Sequence, residues 1–364
     1  MPRTYRHCLP RASLPEVPEE RASLLASYFP EHVADAELQG NEWSVLLWRP
    51  DDPAFHVDPR LDEGLRWWSP RLTASGIAEA VLRTPRSCVS LLDSWGLVAL
   101  TEWMQGRLSQ DESPRAIFLH ADDHGDMGSP LLAVAPSGYT DLMTGRPVAL
   151  TNPVSVMKAV ISGGVGIGSF LAPFLHAQPN MTFRHLRHLT PVQPGWGSRP
   201  FLGTLQPVCN EDGLLSPGAA RPAVRLERGE RPLGNSCGPG GEYSATADAA
   251  VWVAGLPAGL PVLLHLDLDF LNNRYDGDSD WRLSPARLDP SAERVLARVD
   301  EVFDALEGAV PAERLELVHI AFSPGFFPAE LWAPTYALLR ERLARLDVDL
   351  PAAPGAGAAG GGHG

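Results

Sequence analysis

The chain predicts a three-layer α/β/α fold built on a mostly parallel sheet, and three observations lead there. Short apolar runs that read as buried strands alternate with segments of helical periodicity from about residue 87 to about residue 350. That alternation places parallel strands in one sheet with helices on both of its faces. Two of the runs end in acidic clusters: Asp122-Asp123-His124-Gly125-Asp126 follows Ala116-Ile117-Phe118-Leu119, and Asp267-Leu268-Asp269 follows Pro261-Val262-Leu263-Leu264. In open α/β sheets, sites lie beyond the carboxyl ends of strands, where both clusters fall.

Taken in order, residues 1–86 form an N-terminal, aromatic-rich segment expected to pack on the main body. Pro15, Pro18 and Glu19-Glu20 mark a loose start, and a short helix is expected from Glu20 to Phe29. Trp43, Trp48, Trp67 and Trp68 crowd the stretch after that helix. The main domain is expected over 87–350. Cys88-Val89-Ser90-Leu91-Leu92 reads as a strand. Asp93 to Gly106 reads as a helix, with Leu97, Val98, Leu100 and Trp103 near helical spacing. Asn152 to Ile161 is a second helix, with Asn152 as N-cap and Pro153 in the first turn. Over 192–246 proline and glycine are frequent, with Gly238-Pro239-Gly240-Gly241 as a breaker, and this stretch reads as an excursion from the domain. The rhythm resumes at Val251. Ser291 to Leu306 is a helix with Val295, Leu296, Val299, Val302, Phe303 and Leu306 on one face. The strand Leu315 to Ile320 and a helix from Ala329 to Leu346 complete the domain. Residues 351–364, alanine and glycine almost throughout, are expected to be disordered, and His363 among them is no ligand candidate.

With 364 residues the chain can bury a substantial core. Its net charge of -14 argues against nucleic acid and against anionic membrane surfaces as partners. Lys158 is its single lysine. Cys8, Cys88, Cys209 and Cys237 are too widely spaced for a zinc ribbon or a redox motif. No apolar stretch is long enough to span a bilayer, and Met1-Pro2-Arg3-Thr4 opens no apolar signal core, so a soluble cytoplasmic protein is the expectation.

The acidic clusters carry the chemistry. Asp122, His124 and Asp126 stand at alternate positions, as do Asp267 and Asp269, so each set could share a face. Such charges beside a core are costly when unpaired, and a divalent metal or a pair of metals would resolve the cost. The bland reading is a pair of solvated turns with capping aspartates. Aspartate and imidazole without cysteine suit a hard or borderline ion, Mn²⁺ among them. Two such ions need bridging carboxylates and lower the pKa of bound water. His265 and His120, each two residues before an aspartate, are either satisfied core histidines or further ligands. The loop Asp276-Gly277-Asp278-Ser279-Asp280 lacks the glutamate of a calcium loop; it is a solvated acidic loop or recruits a cationic side chain. Ser323-Pro324-Gly325 ends a strand and could line a pocket. Gly163-Gly164 and Gly166-x-Gly168 form no nucleotide loop, and no Gly-x-Ser-x-Gly elbow is present.

Asp-x-His-x-Asp followed at a distance by Asp-x-Asp resembles the ureohydrolase (arginase/agmatinase) superfamily. The resemblance is nearest to the ureohydrolase-like family that includes peptide arginases. It extends over Asp93-Ser94-Trp95, His124-Gly125-Asp126-Met127, Ile167 to Pro173, Asp267-Leu268-Asp269-Phe270 with Asn273-Arg274, and Ile320 to Phe326. It implies an arginase/deacetylase-like fold and two manganese ions. Asp122 and Asp267 would bridge them, Asp126 would complete one ion, and His124 and Asp269 the other. It also implies hydrolysis of a guanidinium group, with arginine in a peptide substrate converted to ornithine and urea. The chain departs from the pattern in three places. Trp95, an indole that cannot ligate, stands where the family has a histidine. Ser169 stands where asparagine is expected, and no glutamate follows Ala321-Phe322. Two other readings stay open: a single-metal, deacetylase-like amide hydrolase, and a relative that binds a peptide without turnover.

Overall fold

The computed structural model describes residues 4–50, 56–107, 115–187, 201–229, 241–278, 280–283 and 289–352. At the N-terminus, strands β1 (Thr4–Pro10), β2 (Val33–Gln39) and β3 (Glu42–Trp48) form an antiparallel sheet in the order β1-β3-β2, with helix α1 (Pro18–Tyr28) between β1 and β2. Alternate residues of β3, Trp43, Val45 and Leu47, are buried, as a one-sided sheet requires. They join Leu9, Leu25 and Phe29 in a small core that also takes in Leu131, Met143 and Leu214 from the main body. Helix α2 (Leu61–Trp68) belongs instead to the main core, where the Trp68 ring meets Phe322 at 5.6 Å. The aromatic-rich segment is thus divided between two cores.

The main body contains β4 (Val81–Arg83), β5 (Ser87–Ser90), α3 (Trp95–Arg107), β6 (Ile117–Ala121), a small antiparallel sheet of β7 (Leu132–Ala135), β8 (Gly138–Asp141) and β9 (Pro147–Val148), then α4 (Pro153–Ser162), α5 (Leu171–Ala177) and β10 (Thr182–Leu186). Next in the chain are β11 (Phe201–Glu211), β12 (Ala220–Arg228), β13 (Gly241–Thr246), α6 (Ala249–Trp252), β14 (Val262–Asp267), α7 (Ala292–Ala309), β15 (Leu315–Ala321) and α8 (Trp332–Ala344). Nine strands make one sheet in the order β12-β11-β13-β10-β6-β14-β15-β5-β4. The strands from β13 to β5 in that order run parallel, and antiparallel strands flank them at both edges.

Every residue of β5, β6, β10 and β14 is buried, so both faces of the sheet are covered. Ile117, Leu119, Val262, Leu264, Val318 and Ile320 pack with α2, α6, α7 and α8 on one face. Phe118, Phe183, Leu263 and Leu317 pack with α3, α4 and α5 on the other. The architecture is mixed α/β with a large, mostly parallel sheet, compatible with the three layers expected. Caps fall where the sequence places them: Asn152 accepts from Ser155 N at 3.3 Å at the start of α4, and Ser291 accepts from Arg294 N at 3.4 Å at the start of α7. No helix among the described residues is long and apolar enough to cross a membrane.

The excursion expected over 192–246 needs correction. Residues 201–228 contribute a long antiparallel hairpin at the sheet edge, and β13 is itself a parallel strand beside β10. Positions without a partner strand on one side tolerate proline: Pro222 lies on the outer strand β12, and Pro207 lies on β11 beyond the stretch that pairs with β13. Residues 188–200 and 230–240, including Gly238-Pro239-Gly240, lie outside the described residues, as do Cys237 and the tail from 353. Cys8, Cys88 and Cys209 are free thiols.

Trp332 is fully buried at the start of α8, with its ring 5.3 Å from Phe322 and against Gly64 of α2. Trp332→Ala is expected to destabilise the fold by about 3–5 kcal/mol, measured by denaturant unfolding.

Candidate metal centre

The two acidic clusters meet because β6 and β14 are parallel neighbours in matched register: His265 pairs with His120 and Leu266 with Ala121. Asp122 leaves β6 beside Asp267, the last residue of β14. Beyond that point the strand pleat expected to align alternate carboxylates is absent, and tight turns bring them together instead. His124 N donates to Asp122 Oδ1 at 2.6 Å, and Asp126 takes a left-handed backbone (φ 50°). Asp269 lies in a single 3₁₀ turn, Leu268–Phe270, its N donating to Asp267 Oδ1 at 3.1 Å. The turns then join: Asp123 N donates to Asp269 Oδ1 at 3.2 Å, and His124 Nδ1 lies 2.8 Å from Asp269 Oδ2.

Two sets of possible ligand atoms result, each with its atoms within 4.8 Å of one another. One is Asp122, His124 and Asp269; the other is His120, Asp122, Asp126 and His265, and Asp122 belongs to both. Asp267 faces the same cavity of about 380 Å³, which Asp93, His124, Asp126, Asp269 and Phe326 also line. Its Oδ2 accepts from Ser323 Oγ at 2.5 Å. Ser323, read from sequence as a turn residue that could line a pocket, does line it. All five residues Asp122, His124, Asp126, Asp267 and Asp269 are therefore at one place. His120 and His265 lie beneath them, with Nε2 atoms 3.6 and 3.5 Å from Asp122 Oδ2.

Burial and mutual repulsion define the electrostatics. Burial first, then the charges of Asp269 and Asp267, push the Asp122 carboxyl well above the usual carboxylate range. Burial and Asp122 do the same to Asp126, and burial and Asp269 to Asp267. For His124, burial opposes the cation, but the facing Asp269 carboxylate and hydrogen bonds to Asp122, Asp269 and Asp276 raise its pKa. Burial pushes His120 and His265 well down and His185 and His319 to about 3, so these four are neutral imidazoles. Asp93 Oδ1, Asp122 Oδ2, Asp126 Oδ2 and His265 Nε2 are buried without any hydrogen-bond partner. Unpaired lone pairs converging in this way fit a divalent cation, which carboxylate oxygen and neutral imidazole both bind. Strain collects here too. Among the described residues, four other than glycine have a left-handed backbone, and Asp126, Ser323 and Asp276 are three of them; such conformations persist where surrounding contacts hold them.

Asp93 is the site residue that sequence reasoning missed. It follows β5 at the carboxyl end of the sheet and lines the cavity; its Oδ2 accepts from Gly168 N at 2.8 Å, and its Oδ1 is buried without a hydrogen-bond partner. Burial and the charge of Asp126 push its carboxyl well up. The strand-end rule that picked out the other clusters would have found it. Trp95, which stands in sequence where the resemblance has a histidine, is no ligand: its Nε1 donates to the Ala78 carbonyl at 3.0 Å. Ser169 closes a turn through Gly166, with Oγ donating to the Gly166 carbonyl at 2.7 Å. The same loop is held from the N-terminal segment. Glu31, buried and paired with Arg49 at 2.8 Å, accepts from Ile167 N at 2.6 Å. Asp276 sits at the mouth, 3.5 Å from His124 Nε2, and Gly277 packs under the Phe326 ring.

No family model matches the chain, and no curated protein matches it.

A raised carboxyl pKa means that the folded state holds its proton more tightly than the unfolded chain. The stability this contributes is full below the ordinary carboxylate pKa of about 4 and is lost as pH rises toward the folded value. The depressed histidines act in the opposite sense, losing stability as pH falls below about 6.5, and they are common to wild type and variant. In chelator-treated protein, Asp122→Asn is therefore expected to raise the Tm, and more at pH 8 than at pH 5. Differential scanning fluorimetry across that range checks it; an equal shift at both pH values would contradict the repulsion described.

Proposed function

We propose that this chain is a metal-dependent hydrolase acting on a guanidinium group, with arginine in a peptide as substrate and ornithine and urea as products. The observation that carries the reading is the sharing of Asp122 between two sets of ligand atoms at the wall of one acidic cavity. Manganese suits the donor set of aspartate oxygen and imidazole. Bound there, divalent ions would supply Lewis acidity and a water that ionises near neutral pH. Asp122 and Asp267, side by side at the ends of neighbouring strands, would hold the ions together with Asp126, His124 and Asp269 in this reading. Asp93 takes the place of the histidine that the ureohydrolase-like resemblance leads one to expect.

Charge and shape support this substrate class. Asp93, Asp122, Asp126, Asp267 and Asp269 outweigh two divalent ions by one negative charge, which favours a cation over a neutral amide. Phe326, edge-on to His124 with centroids 5.5 Å apart, gives the cavity an aromatic wall, and a planar guanidinium stacks well on such a surface. Asp276 at the mouth adds a partly exposed carboxylate. Ser323 holds Asp267 in place, so the segment after β15 orients a ligand where the superfamily pattern has a glutamate.

Incubating the Mn²⁺-loaded protein with arginine-containing peptides is expected to release urea and lower the peptide mass by about 42 Da per converted arginine, the difference that this hydrolysis produces. His124→Ala and Asp269→Ala are each expected to slow the conversion by at least about 100-fold, more than the loss of an outer hydrogen-bond partner of a metal ligand. Mass spectrometry and a urea assay read both. Two ions bound per chain with no arginine peptide altered would overturn the substrate assignment; no ion bound would overturn the hydrolase.

A further inference from the structure

Four histidines stand in one row across the sheet beneath the acidic cavity. The register aligns His185 of β10 with His120 of β6, His120 with His265 of β14, and His265 with His319 of β15. All four are buried. Neighbouring rings lie 4.7, 5.0 and 4.8 Å apart along the row. A neutral imidazole has one N–H and one lone pair, so its hydrogen bonds decide which nitrogen is free to ligate.

The chain of bonds can be followed from its fixed end. Ser90 Oγ lies 2.7 Å from the Leu92 carbonyl, which only accepts, so the hydroxyl hydrogen points there. Ser90 Oγ is also 2.8 Å from His319 Nε2 and must accept from it, which places a hydrogen on that nitrogen. His319 Nδ1 is then bare and accepts from His265 Nδ1 at 2.8 Å. The remaining nitrogen, His265 Nε2, keeps a lone pair with no hydrogen-bond partner, 3.5 Å from Asp122 Oδ2 and 3.8 Å from Asp126 Oδ2. The other two histidines end differently. His120 Nε2 lies 3.3 Å from the His124 carbonyl and His185 Nε2 lies 2.9 Å from the Asp122 carbonyl, so both nitrogens carry hydrogen. Tyr243 Oη supplies the hydrogen that His185 Nδ1 accepts at 2.8 Å.

We propose that Ser90 and His319 are positioning residues that fix the tautomer of His265 and make its Nε2 a metal ligand beside Asp122 and Asp126, while His120 and His185 are donors that brace the first acidic turn. The proposal rests on the metal reading above and divides the histidines that sequence alone leaves equivalent. An outer partner that holds the non-ligating nitrogen of a histidine is a general device for orienting the ring and raising its basicity; here that partner is another imidazole.

Two measurements test it. Long-range ¹H–¹⁵N correlation of the imidazoles in metal-free protein is expected to show His265 protonated at Nδ1, and His120 and His185 at Nε2. Hydrogen on His265 Nε2, or a bare His120 Nε2, would overturn the assignment whether or not metal binds. Co²⁺ titration, followed by calorimetry and by the visible spectrum of the ion, then compares variants. Ser90→Ala and His319→Leu are expected to weaken binding by about 10- to 100-fold and to change the spectrum. His319→Asn, whose Oδ1 can accept from His265 Nδ1, is expected to retain both. Should His319→Leu fail to fold, Ser90→Ala and His319→Asn carry the comparison. Wild-type protein that takes up no Co²⁺ would sink the metal reading and this proposal with it. Wild-type binding matched by Ser90→Ala and His319→Leu would sink the relay alone.

Discussion

Five carboxylates held together at the ends of parallel strands are the constraint around which this structure is organised. Asp93, Asp122 and Asp267 come from the ends of β5, β6 and β14, and Asp126 and Asp269 from the turns just beyond. Brought out of water and close to one another, they repel, and the fold tolerates them because four of the five are tied down on their other side, Asp269 by Asp123 N. Gly168 N holds Asp93, His124 N holds Asp122, and Ser323 and Asp269 N hold Asp267. Hydrogen bonds to carboxylates are among the stronger ones available, yet these leave one oxygen each on Asp93, Asp122 and Asp126 without a partner. That residue of unmet capacity, rather than the acidity itself, separates this cluster from an ordinary acidic surface.

The scaffold distributes the task. Six parallel strands set the level of the site, and the α3–α5 face supplies the loop that carries Gly168. The N-terminal segment takes part through Glu31, which is paired with Arg49 and accepts from Ile167 N one residue before that glycine. A segment that reads as an appendage thus reaches within one hydrogen bond of a site carboxylate's partner. Beneath, the imidazole row replaces the aliphatic filling usual between parallel strands, so that polar, uncharged groups lie between the apolar core and the charges above.

The legible part of the fold was the part governed by periodicity. α7 shows its apolar face and its Ser291 cap in the sequence, and β6, β14 and β15 announce themselves as continuous apolar runs. The edge hairpin of β11 and β12 did not, because interspersed proline and polar residues break any apolar alternation along it. Asp122, His124, Asp126, Asp267 and Asp269 were legible because motif spacing records them, although tight turns, and not alternation along a strand, bring them together. Asp93 stands alone after its strand, outside either acidic cluster, so no motif spacing marks it. The roles of Ser90 and His319 could not be read at all: they depend on which strands lie side by side, and β5, β15 and β14 are distant in sequence.

That strand order has a bearing on how the molecule comes into being. β5 lies between β4 and β15, and among the described residues its parallel neighbour is 315–321. As the polypeptide emerges from its N-terminus, β5 must wait for more than two hundred residues to be made before its place in the sheet exists. Pairings so remote in sequence close slowly. Asp93 and Ser90, both anchored by that strand, therefore gain their partner strand only after the residues of β6 and β14, which bring Asp122 beside Asp267, have been made. One wall of the cavity thus joins one of the first strands to be synthesised to one of the last.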